Sequence, residues 1–121
     1  MIRFDTLRRI EGGLLSIAGL IHIVFLTFSV DRSVTEFGLY WGAMGFGIAY
    51  TLLGMLILLR HLVVLKPALV LNVVGLISVL VMFEQSPLRA IDPLLIAIDC
   101  VSVPTLIYLN IQRKSQAESV G

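Results

Sequence analysis

Charged residues are scarce in this chain of 121 residues, since Asp, Glu, Lys and Arg together make up 14% of it against 58% hydrophobic residues. A soluble domain usually carries about 25% charged residues, which cover its surface. Much of the surface of this chain must therefore face something other than water. The length allows one domain, and the composition predicts that this domain lies in a membrane.

Several kinds of chemistry lack the residues that they need. The single cysteine, Cys100, excludes an intrachain disulfide and a multi-cysteine zinc site. A net charge of +1 without a basic cluster gives no indication of a nucleic-acid partner. The sequence contains no glycine-rich phosphate loop, no H-E-x-x-H motif and no nucleophile elbow. We therefore expect no metal, no cofactor and no nucleic acid.

Charged residues divide the chain into four apolar segments. Each has about the 20 residues that a helix needs to cross a bilayer core of about 30 Å. Unpaired backbone amides are costly in lipid, so each segment should be a helix. The predicted fold is all-α: one domain over residues 1–121, an integral membrane four-helix bundle with antiparallel up-down topology. Its predicted spans are Ile10–Val30, Phe37–Leu59, Pro67–Phe83 and Pro93–Ile111.

The distribution of Lys and Arg predicts the direction of the spans. The N-terminal segment, the second loop and the tail hold seven of the nine basic residues, while the other two loops hold only Arg32 and Arg89. Cytoplasmic loops carry the excess of Lys and Arg, so both termini should lie inside. We expect a multi-pass protein of the cytoplasmic or inner membrane, with the N-terminal apolar run kept as a span and not removed as a signal peptide.

The second span, 36-EFGLYWGAMGFGIAYTLLG-54, has two distinct faces. One face carries small residues within about 60° of one another, a pattern that lets a second helix approach closely: Gly38, Gly42, Gly45 and Ala49. The opposite face is small and polar: Glu36, Tyr40, Ala43, Gly47, Tyr50, Thr51 and Gly54. Both faces could pack within the bundle, one could line a cavity, or the glycine face could form a homo-oligomer.

The run 94-LLIAIDCVSVP-104 places an acid inside the fourth span. Asp99 lies about 9 Å from the outer end of its helix, and His22 lies about 12 Å from the outer end of the first span. An ionised Asp at that depth costs about 2.5 kcal/mol or more, so it should be protonated, paired or open to water. His22 is the natural partner by depth, although only the helix order can bring the two together. Ser102 shares the face of Asp99, and Glu11 shares that of His22.

The other acids near the outer end, Glu36, Glu84 and Asp92, are expected to mark helix ends in the headgroup region, or to form an acidic mouth to a cavity that reaches Asp99.

Three classes of function remain open. The leading hypothesis is a polar intramembrane pocket that binds or moves a lipophilic or protonatable solute, formed by Asp99, His22, Tyr50, Thr51, Ser102, Tyr40 and Glu36.

The second class is an intramembrane acid–base enzyme for an isoprenoid, sterol or polyketide-like substrate, with Asp99, His22 and Tyr50 as the catalytic candidates. The third class is an accessory subunit that docks on a larger membrane complex through the glycine face of the second span. The expected partners are the lipid bilayer, a hydrophobic small molecule, and a second copy of the chain or another membrane protein.

Overall fold

The computed structural model describes residues 4–29, 37–81 and 89–120, with side chains up to Lys114. The described chain is all-helical, and its four helices are each long and apolar enough to cross a membrane, as predicted. A short 3-10 turn, Leu62–Val64, precedes the third helix. The helices are α1 (Phe4–Ser29), α2 (Phe37–Leu58), α3 (Leu65–Val81) and α4 (Asp92–Val120).

Two helices are longer than the apolar segments that predicted them. α1 begins at Phe4 instead of Ile10, and α4 continues past Ile111 to Val120. The added residues include good helix formers such as Arg, Gln and Ala, so the helix continues after the apolar run has ended. The predicted ends at Val30 and Phe83 lie outside the described residues.

Close packing of α1 against α2 depends on glycine in both helices. A Cβ atom added at Gly19 would lie 2.5 Å from the carbonyl oxygen of Gly47, and one added at Gly54 would lie 2.5 Å from the backbone nitrogen of Ser16. A Cβ at Gly12 would lie 2.9 Å from the carbonyl oxygen of Gly54. No side chain fits at these points, so the two backbones approach closely.

The face of α2 that packs against α1 is the small, polar one, which carries Gly47 and Gly54. On the glycine face predicted for helix packing, a Cβ at Gly42 or Gly45 would meet no described atom within 4 Å. Gly38 on that face is also exposed, and Ala49 is half-buried. The close contact within the chain is therefore on the opposite face, and the packing of the glycine face against a second chain stays a prediction.

The C-terminal end of α2 is capped by a buried arginine and by a residue in the left-handed backbone conformation. Arg8, 3% exposed, donates from Nη1 to the carbonyl oxygens of Ile57 at 2.6 Å and Leu58 at 3.0 Å, and from Nη2 to Asp5 at 2.8 Å. Arg60 has a φ of 68°, and the next amide, that of His61, donates back to the Leu56 carbonyl at 2.9 Å. This hydrogen bond is the long one of a Schellman motif, which usually has glycine at the left-handed position.

Side-chain contacts define two ends of the bundle. At the first, called the Arg8 end, Asn110 of α4 donates to the Leu65 carbonyl of α3 at 3.0 Å. At the second, called the Tyr40 end, the Tyr40 hydroxyl donates to the Leu26 carbonyl at 3.0 Å. Leu95 of α4 packs into the same small core as Tyr40. The start of α4 therefore lies at the Tyr40 end.

Candidate ligand-binding cavity

All four helices line a cavity of about 340 Å³ in the half of the bundle near the Tyr40 end. Its polar lining residues come from every helix: His22 of α1, Tyr50 of α2, Ser78 of α3, and Asp92 and Asp99 of α4. The rest of the lining is apolar or glycine, and no Lys or Arg occurs among the described lining residues. The apolar and glycine part consists of Gly38, Leu39, Gly42, Ala43, Phe46, Gly75, Val79 and Leu95.

The cavity brings together three of the side chains that the sequence predicted for a pocket, Asp99, His22 and Tyr50. It also includes Gly38 and Gly42 from the predicted packing face, because that side of α2 turns partly towards the cavity. The remaining glycine-face residues, Gly45 and Ala49, are not part of the lining.

Other predicted pocket residues lie elsewhere. The Thr51 hydroxyl donates to the Gly47 carbonyl at 2.9 Å and faces Gly19, so Thr51 belongs to the α1–α2 contact. Tyr40 is buried but donates to Leu26. Ser102 is buried outside the cavity lining, and Glu36 lies outside the described residues.

His22 is held in one tautomer by its own helix. Its Nδ1 lies 2.7 Å from the Ala18 carbonyl oxygen, which can only accept a hydrogen bond, so Nδ1 carries a proton. In the neutral ring Nε2 is then the acceptor. The ring packs edge-on against Tyr50, with 5.6 Å between the ring centroids. The backbone thus leaves the acceptor nitrogen for contacts beyond α1.

Asp99 and His22 line the same cavity, but no hydrogen bond or ion pair joins them among the described residues. Asp99 is 7% exposed and makes neither kind of bond to any described side chain. Asp92, seven residues earlier on α4, lines the cavity with them and acts electrostatically on His22. The charge of Asp99 acts on Tyr50 and on Glu11. Equal depth therefore did not make His22 the partner of Asp99.

Tyr50 links three helices at the wall of the cavity. Its ring contacts His22 of α1, and its hydroxyl points towards the Leu71 carbonyl of α3 at the long distance of 3.5 Å. The same hydroxyl fills the space above Gly75 of α3. Phe46, one turn earlier on α2, packs against the Tyr50 ring with 5.9 Å between centroids. The tyrosine therefore positions α3 beside the cavity.

Two further acids are buried in the structure. Asp92, expected either to mark a helix end or to form an acidic mouth to the cavity, is 1% exposed and lines the cavity. Its spacing of seven residues from Asp99 places both on one face of α4, which is a signal that the sequence contained. Glu11, which the sequence placed on the same face of α1 as His22, is fully buried beside Ser102.

No protein-family model matches the chain, and comparisons with curated proteins and with solved structures find no match.

Proposed function

We propose that this multi-pass membrane protein binds or moves a small, mostly apolar solute that carries a basic nitrogen. One observation supports the proposal: an apolar cavity inside the bundle contains two carboxyl groups and a histidine, but no cationic residue among its described lining. The volume of about 340 Å³ is near the lower end of the range for ligand pockets, about 300–1,000 Å³. The cavity therefore suits a compact molecule.

The chemistry of the lining favours an ammonium group over an anion. A carboxylate inside a membrane is costly without a partner. A bound ammonium would neutralise Asp99 and donate a charge-assisted hydrogen bond to it, which is stronger than a neutral one. Nε2 of His22 could accept a second hydrogen bond from the same nitrogen. The apolar walls would take up the hydrocarbon part of the solute.

Calorimetry with two matched probes tests this function. Adamantylamine and the neutral adamantanol have similar shapes, so their difference in affinity measures the contribution of the charge. For the purified protein in detergent, we expect the amine to bind more tightly, and D99N to weaken amine binding about tenfold or more, which corresponds to about 1.4 kcal/mol.

Two controls accompany this measurement. C100S changes the exposed neighbour of Asp99 and should leave both affinities unchanged. Adamantanol should bind D99N as it binds the unchanged protein. Equal affinities for amine and alcohol, or amine binding that survives D99N, would contradict the proposal.

We also propose the antiparallel topology with both termini in the cytoplasm, which places the cavity in the outer half of the membrane. The excess of Lys and Arg at the Arg8 end supports this orientation. In a C100S background, a membrane-impermeant maleimide added to intact cells should label R89C directly and K114C only after permeabilisation. The reverse labelling pattern would invert the orientation.

An acid–base enzyme for a hydrophobic isoprenoid, sterol or polyketide-like substrate is the second candidate. It is favoured by the presence of Asp99, His22 and Tyr50 around one cavity. Asp99 would donate a proton to an alkene, epoxide or carbonyl, and His22 would accept one. Native mass spectrometry of the protein extracted from its own membrane distinguishes the two: a retained basic amine favours binding, and a retained neutral terpenoid or polyketide favours the enzyme.

Self-association through the open glycine face is proposed as the partner interaction. Gly45 is the suitable test position because it lies on that face but does not line the cavity. G45L should lower the oligomer mass in native mass spectrometry. G13L is the matched control, since Gly13 of α1 is equally open. A larger membrane protein that co-purifies, and is lost in G45L, would favour the accessory-subunit role instead.

A further inference from the structure

A second buried acid lies between the cavity and the Arg8 end. Glu11 stands eleven residues before His22 on α1, which is about 16 Å along the helix at 1.5 Å per residue. It is 0% exposed, and neither of its carboxyl oxygens has a partner in hydrogen-bond geometry. Ser102 of α4, also 0% exposed, lies beside it, and its hydroxyl likewise has no described partner in hydrogen-bond geometry.

A purely structural role does not explain Glu11. A buried acid that only held helices together would be paired, because an unpartnered buried polar group is costly. Arg8, one turn earlier, does not neutralise it, since its guanidinium group bonds to Asp5 and to the carbonyls at the end of α2. Near Glu11, α2 presents Gly54 and Leu58 to Gly12, and neither residue is titratable.

Two residues of α4 act on Glu11: Ser102 first, and then the charge of Asp99 of the cavity. Asp99 and Ser102 are three residues apart, so they lie on one face of α4 and about 4.5 Å apart along its axis. Further towards the Arg8 end, the same side of α4 presents Leu106 and Leu109, which are fully buried in the main apolar core. Apolar packing therefore interrupts the polar face of α4 beside Glu11, between Ser102 and Asn110.

We propose that Glu11 and Ser102 form a second proton-binding site, occluded from the Arg8 end and connected to the cavity through Asp99. The O–H bond of the Asp99 acid breaks as its proton passes to the Ser102 hydroxyl. The former hydroxyl proton passes to the Glu11 carboxylate. The neutral acid and the carboxylate change places, Ser102 is regenerated, and the net charge does not change.

This site deepens the proposed function and rests on it for its role. An ammonium in the cavity needs Asp99 as a carboxylate, so at a pH where the two acids share one proton, binding of the amine would hold that proton on Glu11. The leucines beyond Glu11 would hold the proton inside the bundle. Solute binding and proton storage would then be linked without an open proton channel.

Infrared spectroscopy tests the site without any ligand, because a protonated carboxyl group in a dry environment has its own C=O absorption. In a pH titration of the reconstituted protein, E11Q should remove one such band, and E11D should retain a band at an altered frequency. S102A should shift the frequency of the Glu11 band, whereas S16A, at a half-buried serine of α1 that faces Gly54 of α2, should not. D99N should move the pH midpoint of the Glu11 band by about one pH unit, as expected for coupled acids.

The site would be overturned if E11Q left every carboxyl band unchanged, or if S102A and S16A had equal effects on the Glu11 band. A midpoint unaffected by D99N would remove the connection to the cavity. If E11Q failed to fold by circular dichroism, E11D and S102A would still carry the test. Adamantylamine affinity is measured on the same variants. If the carboxyl bands are coupled but the amine does not bind, the proton site stands and the ligand class is wrong. If the amine binds but the bands are not coupled, the proton site alone is rejected.

Discussion

The hydroxyl of Tyr50 on α2 occupies the space that a side chain at Gly75 of α3 would need. The glycine therefore lets the tyrosine pack against α3 at the wall of the cavity. A Cβ added at Gly75 would collide with the Tyr50 oxygen, but would lie 3.4 Å from the ring carbon that carries it, which is an ordinary contact. The hydroxyl is therefore the group that must move before alanine fits at this position.

This relationship predicts a coupled pair of substitutions. G75A should lower the free energy of unfolding by about 1–3 kcal/mol, because overpacking shifts Tyr50 or α3. Y50F should cost little, since the hydrogen bond that it removes is long at 3.5 Å. The double variant should be more stable than the sum of the single changes by at least about 0.5 kcal/mol.

Detergent-induced unfolding followed by circular dichroism gives the three differences in stability. Additive effects in the double variant would show that the Tyr50 hydroxyl is not what excludes a side chain at Gly75. The same variants can be titrated with adamantylamine, since displacement of Tyr50 should also change the shape of the cavity.

The glycines of α2 should differ in their tolerance of alanine. G54A should destabilise the protein by about 1–3 kcal/mol, because the new methyl group would meet the backbone of α1, which cannot move aside like a side chain. In the dissociated single chain, G45A should be neutral or stabilise by up to about 1 kcal/mol, since alanine is the better helix former and the space is open there. Equal effects at the two positions would contradict the assigned α1–α2 contact.

Arg8 and its neighbour Arg9 provide a matched pair for the end of α2. R8Q should lower the free energy of unfolding by about 2–3 kcal/mol, because it leaves the carbonyls of Ile57 and Leu58 without their charged donor. R9Q removes only an ion pair between exposed side chains, which contributes little in water. Thermal unfolding of both variants checks this. A large effect of R9Q would mean that positive charge near Asp5, and not the hydrogen bonds of Arg8, stabilises this end of the bundle.

Arg60 is predicted to be less favourable than glycine at its own position. A non-glycine residue at a φ of 68° pays about 1–2 kcal/mol for the left-handed conformation. R60G should therefore be more stable than R60A by about 1 kcal/mol, even though both lose the 3.7 Å contact with Asp5. Equal stability of the two variants would mean that the left-handed turn does not persist in solution.

The four apolar helices could be predicted because their cause is local. Scarce charge and apolar runs of the length of a membrane crossing leave the backbone no alternative to helix in lipid. The same reasoning predicted that Asp99 should face inward, since an acid exposed to lipid is costly. Helical periodicity also placed Glu11 with His22 and Ser102 with Asp99, each pair on a single face.

The tertiary structure alone decided which faces meet. Periodicity gives the angle of a side chain around its own helix, but not the neighbour at that angle or its axial register. Asp92 thus joined His22 and Asp99 at one cavity, while Glu11 came to lie beside Ser102. On α2, the face with Gly47 and Gly54 packs against α1 because the glycines of α1 lie opposite. This match depends on both helices, so the sequence of either segment alone does not contain it.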